Sequence, residues 1–197
     1  MRITGTNASE HSYRLFSFGM VCVAAILAAG CVAVKRAPPA PPEFAELPAH
    51  LWICTSQGDA EKVTLNPQSN GSLEVTVQGK SQSSGKGAVI ALPLGDWRIA
   101  PSSVLEVTAV SDADMQFAAA LRTDQFYESP AQRVVTGNPQ EFSFPLGTNS
   151  FKSARSKWEH RDTVNAVKPL QSIELVLYPA PGQARTIILH GVRLRGA

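Results

Sequence analysis

From about Leu51 onward, apolar and polar residues alternate along most of the chain. A period of two places successive side chains on opposite faces of a strand, so it predicts β-sheet with one face buried. The clearest apolar faces are Leu73, Val75 and Val77; Met115, Phe117, Ala119 and Leu121; Phe142, Phe144 and Leu146; and Ile173, Leu175 and Leu177. Residues 87–92 and 104–110 are two further β-rich runs, and residues 186–194 predict a final strand that is apolar on both faces.

Turn-forming residues separate these runs. Asn70-Gly71 precedes the first strong strand. Gly95-Asp96 is predicted to form a turn after the β-rich run at residues 87–92. No long segment here has a sustained helical period. Roughly seven to nine strands at this spacing predict an all-β fold, a two-sheet antiparallel β-sandwich or jelly roll. The polar, aromatic-containing residues 147–167 predict a large loop or short helical turns over one sheet edge.

The chain begins with a different pattern. Arg2 and Arg14 precede an apolar run over residues 15–29 that ends in small residues, which is the layout of a secretory signal. Residues 27–31, with the sequence LAAGC, resemble a bacterial lipobox, although the preferred leucine lies one position further back. That resemblance implies that Cys31 is the first mature residue and carries fatty acids such as palmitate. Val32 is not aspartate, which implies the outer membrane in a Gram-negative cell.

Two other interpretations of the leader stay open. Apolar or small residues continue through Val34, so the run reaches the roughly 20 residues that an uncleaved transmembrane anchor needs. The other interpretation is simple cleavage of the signal peptide. In each case the domain lies outside the cytoplasm, and in the first it is lipid-anchored to a membrane of the cell envelope.

A proline-rich segment follows the leader. Residues 37–42 have the sequence APPAPP, which favours extended polyproline geometry and a semi-rigid spacer of roughly 3 Å per residue. Recognition by a proline-binding partner is the alternative role. The predicted organisation is a signal peptide over 1–30, a lipidated N-terminus and spacer over 31–49, and a β-sandwich domain over 50–197.

Composition narrows the class of protein. The 197 residues are 44% hydrophobic and 17% charged, which favours a folded domain. The net charge of +2 gives no electrostatic argument for binding nucleic acid. Of the three cysteines, Cys22 lies in the leader and Cys31 has the lipid role, so Cys54 has no disulfide partner. Cys54 is either a nucleophile with His50 or His160 or, as we favour, a small buried hydrophobe.

Motifs for catalysis or metal binding are weak. Gly85-Lys86 lacks the first glycine and the final serine or threonine of a phosphate loop, so a flexible hairpin loop is favoured. The cluster over residues 159–162 offers one histidine between two carboxylates, whereas zinc takes three or four ligands. Asp112 and Asp114 suit turns better than calcium. Glu128 and Glu159 are the one carboxylate pair considered for glycoside hydrolysis. We assign no enzyme activity, no metal site and no cofactor.

Aromatic residues are more informative. They lie outside the clearest strands with polar neighbours, a combination that suits stacking on sugar rings and hydrogen bonding to hydroxyls. The residues in question are Trp97, Phe126, Tyr127, Phe151 and Trp158. The competing interpretation is that they close the ends of the sandwich, and we favour it for Trp97 and Tyr127.

The stretch from Leu73 to Leu194 resembles the galactose-binding-like β-sandwich of carbohydrate-binding modules. The segments that carry the resemblance are LPLGDW at 92–97, LEV at 105–107, FYESP at 126–130, FSFPL at 142–146, FK at 151–152 with WE at 158–159, and 173–179. His190-Gly191 stands where the family often has an Asp-Asn pair, which weakens any carried-over structural metal site.

The sandwich pattern and the polar-flanked aromatics, together with this resemblance, favour a non-catalytic domain that binds polysaccharide or a cell-envelope glycan, and the leader predicts that the domain is tethered to a membrane. The expected ligand-binding residues are Phe126, Tyr127 and Trp158, which stack, and Glu128 and Lys152, which bind hydroxyls. The alternative is an envelope lipoprotein that acts in protein–protein interaction or assembly and has no sugar ligand.

Overall fold

The computed structural model describes residues 44–196. The leader, Cys31 and the proline-rich segment 37–42 lie outside the described residues, so the predictions about them stay predictions. Within 44–196, no helix is both long enough and apolar enough to cross a membrane.

Twelve strands and one short 3-10 turn at Ala49–Leu51 make up the regular structure of the described range. The strands are β1 (Phe44–Glu46), β2 (Ile53–Ser56), β3 (Ala60–Pro67), β4 (Leu73–Gly79), β5 (Ala88–Trp97), β6 (Val104–Ser111), β7 (Met115–Arg122), β8 (Phe126–Glu128), β9 (Gln132–Val134), β10 (Gln140–Pro145), β11 (Leu170–Tyr178) and β12 (Ala184–Arg195).

The strands form two antiparallel sheets. Sheet A has the order β10-β6-β12-β4-β3, and β1 pairs with the end of β12. Sheet B has the order β2-β5-β11-β7-β8, and β9 pairs with the start of β7. The predicted all-β, two-sheet antiparallel sandwich is therefore confirmed. The structure has more strands than the seven to nine predicted. The additional strands are short or lie at sheet edges, where the alternation of apolar and polar residues is brief.

The core lies between the sheets and follows the predicted alternation. In β4 every second residue is buried, and Leu73, Val75 and Val77 all face the core. Phe117 of sheet B contacts two rings of sheet A edge-on, with centroids 5.0 Å from Phe142 and 6.1 Å from Phe144. Such edge contacts suit the positive rim and negative face of aromatic rings.

The sandwich begins earlier in the chain than the predicted boundary at residue 50. Strand β1 pairs with residues 193–195 of β12, and the Leu47 amide donates to the Val192 carbonyl at 2.9 Å. Leu47 and Ala49 are buried in the core. Residues 44–49 therefore belong to the sandwich because their backbone extends sheet A.

The predicted turn at Gly95-Asp96 is wrong, because β5 continues to Trp97. The register between β5 and β11 shifts beside Ser172, where β5 contains a bulge. Gly95 has a φ of 73°, a left-handed conformation that glycine adopts without a Cβ clash. The bulge brings Trp97 against the edge of the core, as the favoured interpretation of this residue predicted.

Candidate functional site

The outer face of sheet B is the surface of that sheet turned away from the core. Its side chains alternate with the core residues of the same strands. They are Val89 and Ala91 on β5, Gln116, Ala118, Ala120 and Arg122 on β7, Phe126 and Glu128 on β8, Arg133 on β9, and Ser172, Glu174, Val176 and Tyr178 on β11. Phe126 and Glu128 are two of the predicted ligand-binding residues.

The loop between β10 and β11 joins this face at its β8 edge. The amide of Glu128 donates to the Lys152 carbonyl at 2.9 Å, and the amide of Lys152 donates back at 2.8 Å. This pairing extends sheet B by one bridge beyond β8. The predicted loop over a sheet edge is confirmed, and it places Lys152 beside Glu128.

Two aromatic rings meet at this edge. Phe126 and Trp158 have ring centroids 6.4 Å apart and planes inclined at 45°. The Arg122 guanidinium carbon lies 5.3 Å from the Phe126 centroid, within cation–π range. Trp158 is 55% exposed, which is unusual for so large an apolar side chain. The exposed ring of Trp158 is thus presented to solvent next to hydrogen-bonding groups.

The turn that carries Trp158 has an unfavourable backbone conformation. Lys157 and Trp158 have φ values of 55° and 64°, and both are non-glycine residues. Side chains with a Cβ rarely adopt this region, and such residues persist only when their surroundings hold them. The Trp158 amide donates to the Ser153 carbonyl at 2.8 Å, and the Ser156 hydroxyl donates to the Glu159 carbonyl at 2.6 Å.

A buried carboxylate anchors this turn from below. The Arg155 Nε lies 3.1 Å from both oxygens of Asp162, and the Ser153 hydroxyl donates to the same carboxylate. The hydrogen bond from Arg155, with further help from Ser153 and the Thr163 amide, holds the pKa of Asp162 below its usual range. Asp162 is therefore a charged anchor that fixes the position of Trp158.

A second charged cluster lies on the face itself. The Lys152 Nζ is 2.8 Å from Glu128 Oε1, and the Tyr178 hydroxyl donates to the same oxygen at 2.5 Å. Burial, followed by the hydrogen bond to Glu128, raises the pKa of Tyr178 above its usual range. Tyr178 thus keeps its proton and remains a donor that holds Glu128 in place.

The middle of the face combines an ion pair with a floor of small side chains. Arg122 Nε donates to Glu174 Oε1 at 2.8 Å, and the Ser172 hydroxyl donates to the same oxygen at 2.9 Å. Ala118, Ala120 and Val176 form a small buried apolar cluster beneath the larger residues. These three side chains are short, so the aromatic and charged side chains project above them.

Tyr127 does not fit the ligand-binding role expected of it. Its side chain has no exposed surface and belongs to the core. Its hydroxyl accepts a hydrogen bond from Gln125 Nε2 at 2.9 Å. Because neighbours in a strand point to opposite faces, Phe126 and Glu128 face outward while Tyr127 faces inward. Tyr127 is therefore left out of the candidate site.

Sequence reasoning missed Arg122, Glu174 and Tyr178. Glu174 is 3% exposed and lies within the apolar strand β11. A carboxylate in such a strand needs a partner, because burying an unpaired charge is costly. The isolated Glu174 between Ile173 and Leu175 was the signal that could have marked this face.

The loop compared with a phosphate loop does bind an anion, which is a carboxylate of its own chain. Asp59 accepts the amides of Ser84 at 2.7 Å and Lys86 at 2.9 Å, and the hydroxyls of Ser83 and Ser84. The Ser84 hydroxyl is the main cause that holds the pKa of Asp59 below its usual range. This loop is tied down rather than flexible.

The remaining chemical candidates lie in exposed positions or in structural contacts. Cys54 is exposed on edge strand β2, so its expected burial is wrong, and partial desolvation raises the pKa of its thiol. Asp112 accepts the Thr186 amide at 2.9 Å, so its side chain joins two segments that are 74 positions apart in the chain and does not serve the local turn expected of it. Glu159 lies 2.9 Å from Arg161. Within residues 44–196, no group of three or more His, Cys, Asp or Glu is arranged to hold a metal ion.

Comparison with known proteins identifies the fold. No family model matches the chain, and no curated protein matches it. A family 11 carbohydrate-binding module from Clostridium thermocellum, in complex with a β-1,3-1,4-mixed-linked tetrasaccharide, has a TM-score of 0.55 at 13% identity and covers 78% of this chain and 96% of its own.

Two larger proteins share the same fold over part of their length. PfGH50B has a TM-score of 0.53 at 12% identity over 77% of this chain and 23% of its own. The agarase AgWH50C has a TM-score of 0.52 at 13% identity over 82% of this chain and 24% of its own. The chain thus spans about a quarter of the length of these two proteins. At these identities the likeness shows the fold, a β-sandwich of the kind found in carbohydrate-binding modules.

Proposed function

We propose that the outer face of sheet B binds carbohydrate and that the domain is non-catalytic and tethered to a membrane of the cell envelope. The single observation that carries the proposal is Trp158. It is held on a turn of unfavourable backbone conformation, 55% exposed and 6.4 Å from the Phe126 ring. Strain that the surroundings maintain in order to expose an aromatic ring is typical of a binding site.

The polar groups around the rings favour an uncharged ligand. Arg122 is paired with Glu174 and Lys152 with Glu128, so these cations are already neutralised. Paired side chains still offer donors and acceptors at their edges, which is what sugar hydroxyls require. The apolar face of a sugar ring stacks on Trp158, and its hydroxyls bind Lys152 and Glu128.

Fold similarity supports the same proposal. The family 11 module with a bound mixed-linked tetrasaccharide shares the sandwich over most of both chains. Fold alone does not determine function, so the likeness raises the expectation and the site has to carry it.

Affinity electrophoresis tests the proposal. The full chain, purified in a mild non-ionic detergent, is run through native gels containing mixed-linked β-1,3-1,4-glucan, agarose, or the anionic polysaccharide alginate. We expect retardation by at least one neutral glycan, and no dependence of that retardation on salt. Trp158→Ala should weaken binding about tenfold or more, the effect of removing an aromatic binding hot spot.

Val167→Ala is the matched control, because Val167 is a 92% exposed apolar residue of the same loop. It should bind like the wild type. Migration unaffected by every glycan, or equal retardation of the wild type and Trp158→Ala, would refute the proposal. Release of reducing sugar during incubation would overturn the non-catalytic part alone.

The tether is tested separately through the cysteines. We propose that Cys31 carries the lipid, which in a Gram-negative cell places the domain at the outer membrane. Cells grown with a labelled fatty acid should label the wild type and Cys54→Ser, whose changed thiol is exposed on the domain surface. Cys31→Ser should carry no label, and a labelled Cys31→Ser protein would contradict the assignment.

A protein partner is the second candidate function, and one observation favours it. Leu51, at the end of the 3-10 turn, and Ile53, the first residue of edge strand β2, are 48% and 49% exposed. Unpaired edge strands with apolar residues are surfaces on which a partner strand pairs. Crosslinking in cells followed by purification should then recover one envelope protein with the wild type and lose it with Ile53→Lys, while glycan retardation stays absent.

A further inference from the structure

A cavity of about 360 Å³ lies at the opposite end of the outer face of sheet B from Trp158. Its lining includes Asp114, Gln116, Arg133, Tyr178 and Pro179. The strand register places Arg133, Gln116 and Tyr178 in one row across β9, β7 and β11. Because directly paired residues share a face, all three belong to the same surface as Phe126 and Glu128.

The cavity has the chemistry of a site for a sugar ring. Tyr178 offers a partly exposed aromatic ring, and its hydroxyl is held by Glu128 at 2.5 Å, so the ring is fixed in position. Arg133 is ion-paired with Asp114, which leaves donors and acceptors with no net charge. Gln116 adds an exposed amide that both donates and accepts. The volume lies at the small end of the range for ligand pockets.

We infer that this cavity is a second sugar subsite, which binds one unit of the same glycan that stacks on Trp158. The inference rests on the proposed function and extends it to the length of the ligand. Gln116 and Arg122 mark the two ends of the face along β7, about 20 Å apart at the rise of an antiparallel strand. A glycan that occupies both subsites is therefore an oligosaccharide long enough to bridge that distance, passing over the Glu128–Tyr178 hydrogen bond.

Bridging has a measurable consequence. Once one unit is stacked on Trp158, the second contact is intramolecular, so its effective concentration is high and no new entropy of association is lost. Affinity should rise in a step when the oligosaccharide becomes long enough to span the face. A single subsite would instead give only a gradual statistical rise, in proportion to the number of sugar units that can occupy it.

The test is calorimetric titration of the full chain in mild detergent with size ladders of mixed-linked β-glucan and agarose oligosaccharides. The double variant Gln116→Ala/Arg133→Ala removes two of the polar side chains that line the cavity. Both side chains are exposed, so the fold should persist, and a thermal unfolding scan checks this. Gln78→Ala, which repeats the glutamine-to-alanine change on sheet A, is the control for that substitution.

We expect the wild type and Gln78→Ala to bind long oligosaccharides at least about tenfold more tightly than short ones. The double variant should lose this rise and keep its affinity for short oligosaccharides, whereas Trp158→Ala should weaken every length. A full rise with length in the folded double variant would overturn the second subsite and leave the proposed function standing. Absence of binding by every ladder to the wild type would overturn both.

Discussion

Replacement of Tyr127 by alanine tests which face of strand β8 packs into the core. Tyr127 is fully buried, whereas Phe126 is partly exposed on the other face of the same strand. An aromatic side chain buries about 150–250 Å², worth about 4–6 kcal/mol as an upper bound at 25 cal/mol per Å². Measured costs of removing a buried aromatic ring are about 3–5 kcal/mol. We therefore expect Tyr127→Ala to lower the free energy of unfolding by about 4 kcal/mol.

Urea unfolding followed by tryptophan fluorescence measures this change as a shift of the midpoint at constant slope. Tyr127→Phe loses only the hydrogen bond from Gln125 and should cost about 1 kcal/mol. Trp158→Ala should stay within about 0.5 kcal/mol of the wild type, as a surface substitution does. If Tyr127→Ala does not fold, Tyr127→Leu still distinguishes an inward from an outward Tyr127 ring. An inward ring predicts a stability between those of Tyr127→Ala and the wild type. A Tyr127→Ala variant with wild-type stability and lost glycan binding would refute the inward orientation of this ring.

The remaining predictions concern the loops around Asp59 and two glycines. The folded-state pKa of Asp59 is lowered, so its contribution to stability is complete above the unfolded pKa of about 4 and is lost as the pH falls below it. The difference in unfolding midpoint between the wild type and Asp59→Asn should be largest near neutral pH and shrink in acid, and a difference that grows in acid would contradict this sign. Gly58→Ala should destabilise far more than Gly95→Ala, because both have positive φ but a Cβ at Gly58 would lie 2.1 Å from the Gly87 carbonyl oxygen while Gly95 has open space. Gly95→Ala should cost about 1 kcal/mol from backbone strain alone, and equal melting temperatures for the two variants would refute the distinction.

Prediction from the sequence succeeded where a strand is long enough to show which of its two faces is apolar. Leu73, Val75 and Val77 alternate with polar residues over a full strand, so their burial follows from the pattern alone. Strand β8 contains only three residues, Phe126, Tyr127 and Glu128. Three positions, two of them aromatic, do not show which face is apolar, so the orientation of Tyr127 depended on how β8 pairs with β7.

The candidate site was predicted in part for a related reason. Phe126, Glu128, Lys152 and Trp158 do lie together, because the loop after β10 returns to the β8 edge. The partners of these residues come from distant strands. Tyr178 is 50 positions from Glu128 in the chain, and no local pattern links them. Cys54 was misjudged because β2 is an edge strand, a property that belongs to the order of the sheet.

What the sequence determined by itself is the alternation of buried and exposed positions, and with it the sandwich. This is a local property, since backbone geometry points successive side chains of a strand to opposite faces. Only the tertiary structure decided which strands became neighbours, and hence that Arg122 meets Glu174 and that Trp158 lies beside Phe126. These pairings depend on the packing of the whole chain, because the order of strands in a sheet is not written in the period of any one of them.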